Sequence, residues 1–162
     1  MTAGVAMAQD IQTDYDHKAD FSKYQTFMWI KQPKTENPFM KQRIVDAVNA
    51  QLQAKGLRLV TSDADLGVSG NTATREEHTL DGFYDGFPGW GWHRYWGPPI
   101  VETYTVGTLV VDLFDSATKQ VVWWASASDT VSDKPEKNAK KLDEAMTKMF
   151  KHFPPKGTRE TD

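Results

Sequence analysis

Residues 101–131, reading VETYTVGTLVVDLFDSATKQVVWWASASDTV, do most to limit the folds open to this chain. Side chains alternate faces along an extended strand, so Leu109, Val111 and Leu113 share one side. After the polar turn at 115–119 the alternation resumes with Val121, Trp123, Ala125 and Ala127. Two β-prone runs joined by a short polar loop read as an antiparallel hairpin, and this one is expected to carry the sheet. Trp123 and Trp124 then point to opposite faces. The second face, with Tyr104, Val110, Val122 and Trp124, is apolar as well.

The rest of the chain supplies elements to pack on that hairpin. Residues 11–31 hold two short β-prone pieces, of which 25–30 is the stronger strand. A helix follows, with Asn37 as N-cap, Pro38 at the first helical position and Gly56 as stop. Met40, Ile44, Ala47, Val48 and Leu52 form its apolar stripe. Leu57 to Val60 is a short strand or the helix exit. From Asp63 a weaker strand alternates Ala64, Leu66, Val68, Gly70 and Thr72 on one face. After the hairpin a second helix starts near Ser132-Asp133-Lys134-Pro135, with Asp133 as cap. Leu142, Ala145, Met146, Met149, Phe150 and Phe153 recur on its apolar face, and Pro154-Pro155 ends it.

The expected fold is α+β. A mainly antiparallel sheet of four to five strands carries two amphipathic helices on one face in a two-layer sandwich. The strand 101–114 is central, flanked by the Asp65 and Gln120 strands, and the 25–30 strand joins through a helical crossover. Between the Asp65 strand and the hairpin lies the segment 80–99, LDGFYDGFPGWGWHRYWGPP. Its glycines and prolines argue for a long Gly- and aromatic-rich loop, a length that suits function or disorder.

Across 162 residues, a length that suits one domain, 39% hydrophobic and 25% charged composition is globular. A net charge of −3 supplies no general attraction for nucleic acid or an anionic membrane. There is no cysteine, which excludes disulfides and thiolate metal sites. No apolar run reaches the roughly 20 residues of a transmembrane span. Ala6-Met7-Ala8 before Gln9-Asp10 has the A-x-A pattern of a signal-peptide cleavage site. Residues 1–8 therefore read as a signal-peptide remnant, 9–155 as one domain and 156–162 as a disordered tail.

The sequence D-Y-D-x-x-A-D-F-S-x-Y-x-T-F-x-W at positions 14–29 resembles the opening signature of the DUF4136 family. Ala54-Lys55-Gly56-Leu57, Asp63-Ala64-Asp65-Leu66 and the run Gly107-Thr108-Leu109-Val110-Val111-Asp112-Leu113 are similar too. So are Val121-Val122-Trp123 and Phe150-Lys151-His152-Phe153-Pro154. The resemblance covers roughly residues 11–155. It implies a bacterial envelope protein of a family whose members are often lipoproteins and whose molecular function is unknown. It brings no catalytic residues. With no cysteine to carry a lipid, this chain departs from the lipoprotein pattern, and a soluble periplasmic form is expected.

Chemistry-bearing residues are few. Ser126 and Ser128 lie near Asp129, but no G-x-S-x-G elbow is present. Asp14/Asp16 and Asp63/Asp65 are paired carboxylates, a pattern that usually caps turns. Glu76, Glu77, His78, Asp81, Asp85 and His93 are the candidate metal ligands, without a metalloprotease spacing. No catalytic residue, metal ligand or cofactor is therefore expected, and the chain reads as non-enzymatic. Phe83, Tyr84, Phe87, Trp90, Trp92, Tyr95, Trp96 and Trp124 are the expected binding residues, since Tyr and Trp offer rigid amphipathic contact area. The partner expected is an envelope protein, a glycan or a membrane interface, with no nucleic acid. Two other readings stand beside this one. One is an envelope hydrolase or metal-binding protein using the acidic and His residues near the loop. The other is a structural subunit that self-associates through an exposed edge strand at 25–30 or 120–131.

Overall fold

A computed structural model describes residues 9–78 and 103–156. Six strands form one sheet: β1 (Asp10–Tyr15), β2 (Thr26–Lys31), β3 (Arg58–Leu59), β4 (Leu66–His78), β5 (Thr103–Asp115) and β6 (Val121–Thr130). They lie in the order β1-β6-β5-β4-β2-β3. Two helices, α1 (Pro38–Ala54) and α2 (Pro135–Met149), share one face of the sheet, and Phe21–Lys23 adds a short 3-10 turn.

The hairpin is the centre, as its alternation demands. β5 pairs antiparallel with β4 along Leu66–His78 and with β6 along Val121–Thr130. The turn between β5 and β6 is held by Asp115, whose Oδ1 accepts from the backbone N–H of Ala117 (2.8 Å) and Thr118 (3.1 Å). Lys119 at φ 65° completes it. β2 and β4 run parallel, with α1 in the crossover between them.

The layering is the expected α+β sandwich, and β1, β6, β5 and β4 pair antiparallel in succession. The sheet has six strands rather than four to five, and β2 adds parallel pairings on either side of itself. Both extra strands come from pieces too short to be decisive alone. β1 is completed only by its partner β6, with Asp14 opposite Trp124 and Tyr15 opposite Trp123. β3 is a two-residue addition beside β2, set by the tight exit of α1 at Gly56. A second difference concerns the edges: the 120–131 strand is interior, because β1 covers it, and the 25–30 strand lies between β4 and β3, which covers it at Thr26 and Phe27. A third concerns α2, whose N-cap is Lys134 rather than Asp133, with no capping side chain. Asn138 braces that end instead, accepting from Ser132 N–H (2.8 Å) and donating to Ser132 C=O (2.7 Å). Asn37 caps α1 as its type and position require, accepting from Phe39 N–H at 2.9 Å.

The core lies between helices and sheet. Val48 and Leu52 of α1 and Met146 and Met149 of α2 meet Leu66, Val68, Val111 and Leu113, all at most 1% exposed. Trp123 anchors one end, its ring 4.8 Å from Phe150 and 5.2 Å from Phe153. Those two phenylalanines follow the last residue of α2, so the helix stops earlier than its apolar pattern does. Hydrophobic burial drives this arrangement, and Trp123 adds a tilted contact with Phe150 and an edge-on one with Phe153.

Candidate functional site: a cleft between the helices and the sheet

Side-chain volume falls along the hairpin. The helix-facing positions of β6 run Trp123, Ala125, Ala127, and those of β5 run Leu113, Val111, Leu109, Gly107. Close packing needs every such position filled. At the Trp123 end it is met; at the other end, small residues leave a hollow between the sheet and the two helices. The result is an open cleft of about 410 Å³, within the range of ligand pockets. Leu109 and Ala127 form its floor, Met40 and Ile44 of α1 one wall, and Leu142 and Ala145 of α2 the other.

The polar groups around the cleft are largely occupied with one another. Lys141 Nζ donates to Thr130 C=O (2.8 Å) and Thr130 Oγ1 (3.0 Å), with Asp129 Oδ1 3.9 Å away. Thr72 Oγ1 donates to Lys34 C=O, tying the β2–α1 connection to β4. Gln9 Nε2 donates to Lys141 C=O (2.7 Å). The one buried polar atom without a partner among the described residues, Arg43 Nη1, lies away from this cleft. Lys34 and Glu36 stand exposed at the mouth. Such a lining offers contact area to an apolar group and few directional bonds.

On the opposite face, Trp124 sits in register between Asp14 of β1 and Asp112 of β5. Burial pushes the Asp112 carboxyl up from its ordinary range. Trp123 is core and Trp124 half-buried on the helix-free face, the opposed arrangement that their adjacency implies.

The other expected binding residues, Phe83, Tyr84, Phe87, Trp90, Trp92, Tyr95 and Trp96, lie outside the described residues. So do Asp81, Asp85 and His93, and the side chains of Glu76, Glu77 and His78 are likewise not described. Among the described residues no three metal-ligating side chains stand together. The paired carboxylates are structural. Asp65 Oδ2 accepts from Gln25 N–H (2.8 Å) and Thr26 N–H (3.2 Å), and Asp16 Oδ1 accepts from Lys18 N–H (2.9 Å). Ser128 is engaged with Thr108 rather than with a base. Sequence reasoning missed the cleft. The descent from Trp123 to Ala127 and from Leu113 to Gly107 was its signal.

A family model, the domain of unknown function DUF4136, matches residues 11–155. The chain belongs to this family. Comparison with curated proteins finds no significant match for the DUF4136 domain. Among solved structures it is similar to PelC from Paraburkholderia phytofirmans, a dodecamer. A single-substitution variant of PelC gives 16% identity and TM-score 0.55, with 88% of this chain and 95% of that chain covered. A second crystal form of PelC gives 14% identity and TM-score 0.54, with the same coverage. A PDZ domain protein from Parabacteroides distasonis matches at 14% identity and TM-score 0.60, covering 93% of this chain and 37% of that one. At these identities the likeness is one of fold. No helix of the described DUF4136 domain is long and apolar enough to cross a membrane.

Proposed function

We propose that this DUF4136 protein is a non-enzymatic, exported envelope protein that binds a ligand or partner at the open end of its sheet. The observation that carries the reading is the 410 Å³ cleft, whose wall is apolar and whose polar rim is already hydrogen-bonded. β4 and β5 continue past it to His78 and Thr103, so the aromatic segment between them is joined on at the same end. Export is supported by the Ala6-Met7-Ala8 pattern, and an envelope location by the resemblance to a family of envelope proteins. The test is site-specific photocrosslinking in living cells, with benzoylphenylalanine at Thr74 in the cleft mouth and, separately, at Trp124. Adducts at Thr74 in the periplasmic fraction are expected. Adducts only at Trp124, or none at either position, would overturn the cleft as the binding site.

A second reading, an assembly subunit, is favoured by two observations. The outer edge of β1 is unpaired among the described residues, and the similar PelC structures are dodecamers. Edge strands present a row of free N–H and C=O groups to a second chain. Light scattering across a hundredfold concentration range decides it, a strictly monomeric mass rejecting self-assembly.

A further inference from the structure

We infer that the occupant of the cleft is a single acyl chain, carried by a monoacyl lipid whose headgroup stays in solvent. The inference rests on the cleft being the binding site and names the chemistry that site accepts.

Three features select an aliphatic chain. First, the interior surface is built from Met40, Ile44, Leu109, Ala127, Leu142 and Ala145, with no aromatic ring among them. Among the described residues a planar ligand would therefore find no stacking partner, whereas a flexible chain conforms to branched aliphatic walls and to the adaptable Met40. Second, the charges are complementary to a neutral body. Lys141 is neutralised by Asp129 and bound to Thr130, and the exposed Lys34 and Glu36 at the mouth oppose each other in sign. A buried charged or strongly polar ligand would lose its hydration without gaining a partner. Third, the space suits the occupant. At about 30 Å³ for a water-sized group, a hollow of 410 Å³ takes a chain of roughly a dozen carbons. The exposed surface beside the mouth continues the same chemistry: Phe39, in the turn of α1 that carries Met40, is 71% exposed, and Val131 is 44% exposed.

The experiment is a chain-length series by titration calorimetry on the full chain. Alkyl carboxylates from eight to sixteen carbons, dodecanol and a lauroyl lysophospholipid are used, each below its micellar concentration. A fully buried methylene tightens binding about fourfold. In an open cleft the expected gain is about two- to fourfold per methylene, levelling off near roughly a dozen carbons, with the three headgroups within about tenfold of one another. Thr74→Trp, at the exposed mouth, and Ala127→Leu, on the floor, should each weaken dodecanoate at least tenfold with the thermal transition retained. Gln53→Ala, exposed near the C-terminal end of α1 and outside the cleft lining, serves as the control that binds normally. Affinity independent of chain length overturns the inference, as does affinity set by the headgroup and abolished by salt. Should Thr74 crosslink a polypeptide while no alkyl compound binds, the cleft remains a binding site and the acyl assignment falls.

Discussion

Asp115 is the group on which the central hairpin depends most, and replacing it with Asn isolates its charge. Asp115 is 5% exposed. Tyr24 Oη donates to Oδ2 at 2.8 Å, Lys23 Nζ lies 3.3 Å from the same oxygen, and Oδ1 takes the two turn N–H groups. The Tyr24 hydroxyl, then the turn amides and Lys23, hold its pKa at about 2 against an ordinary 3.8, although burial acts the other way. Burial and the carboxylate in turn push the Tyr24 hydroxyl up. At about 1.4 kcal/mol per unit, the depressed carboxyl stabilises the fold by about 2 kcal/mol. A lowered folded-state pKa stabilises above the unfolded value and is lost as pH falls through the folded one. Asp115→Asn should therefore cost about 2 kcal/mol at pH 7, about 4–8 °C in Tm for a domain of this size. Its deficit should shrink to under about 0.5 kcal/mol near pH 2, where wild type is also losing the charge. Urea unfolding followed by tryptophan fluorescence at pH 7, 4 and 2 measures both. A variant as stable as wild type at pH 7, or a deficit undiminished at pH 2, would refute the assignment.

Two further substitution pairs test the packing. A Cβ at Gly67 would lie 2.0 Å from Cδ1 of Ile30, a side chain 63% exposed and able to swing out, whereas one at Gly70 would meet the buried ring of Pro33 at 3.0 Å. Gly67→Ala should stay within about 1 kcal/mol of wild type, and Gly70→Ala should cost about 1–3 kcal/mol; equal costs in thermal melts would contradict the rigid Pro33 contact. Trp123→Ala should lose about 3–5 kcal/mol and Trp124→Ala under half of that, because only Trp123 packs on Phe150 and Phe153. A reversed order in urea titrations would place the hairpin upside down on the helices.

How much was legible follows from which signals were local. The hairpin, both helices, the Asn37 cap and the Gly56 stop rest on periodicity and backbone rules that act within a few residues, and the α+β layering follows from them. β1 was harder. Asp10–Tyr15 has one strongly apolar residue, Ile11, and becomes a strand because β6 offers it a register. Lys134 as N-cap of α2 was invisible for a similar reason, since Asn138 and Ser132 close that end by a bond across six residues. Of the eight expected binding residues only Trp124 lies within the described residues, and it does not line the cleft. A cleft is the volume that packing leaves over, and a motif search for reactive or aromatic residues passes it by.

The same taper that opens the cleft separates stability from binding. At the turn end of the hairpin stand the Asp115 cluster, the Trp123–Phe150–Phe153 rings and the fully buried Leu66 and Leu113. Large-to-small changes there remove both contacts and burial, so that end is intolerant. At the other end Gly107, Ala127 and Ala145 contribute little area, and the polar rim closes on itself without an occupant. A hollow maintained between two helices withholds packing that larger residues would supply, and stability is gained wherever such a site is filled. Ala127 is therefore the position on this hairpin where a sequence selected for stability alone would diverge from this one, whereas a Cβ at Gly107 would meet Val131 Cγ2 at 2.9 Å. That Ala127 is small, on the hairpin that carries a tryptophan four residues before it, is the strongest physical reason to read the cleft as a binding site.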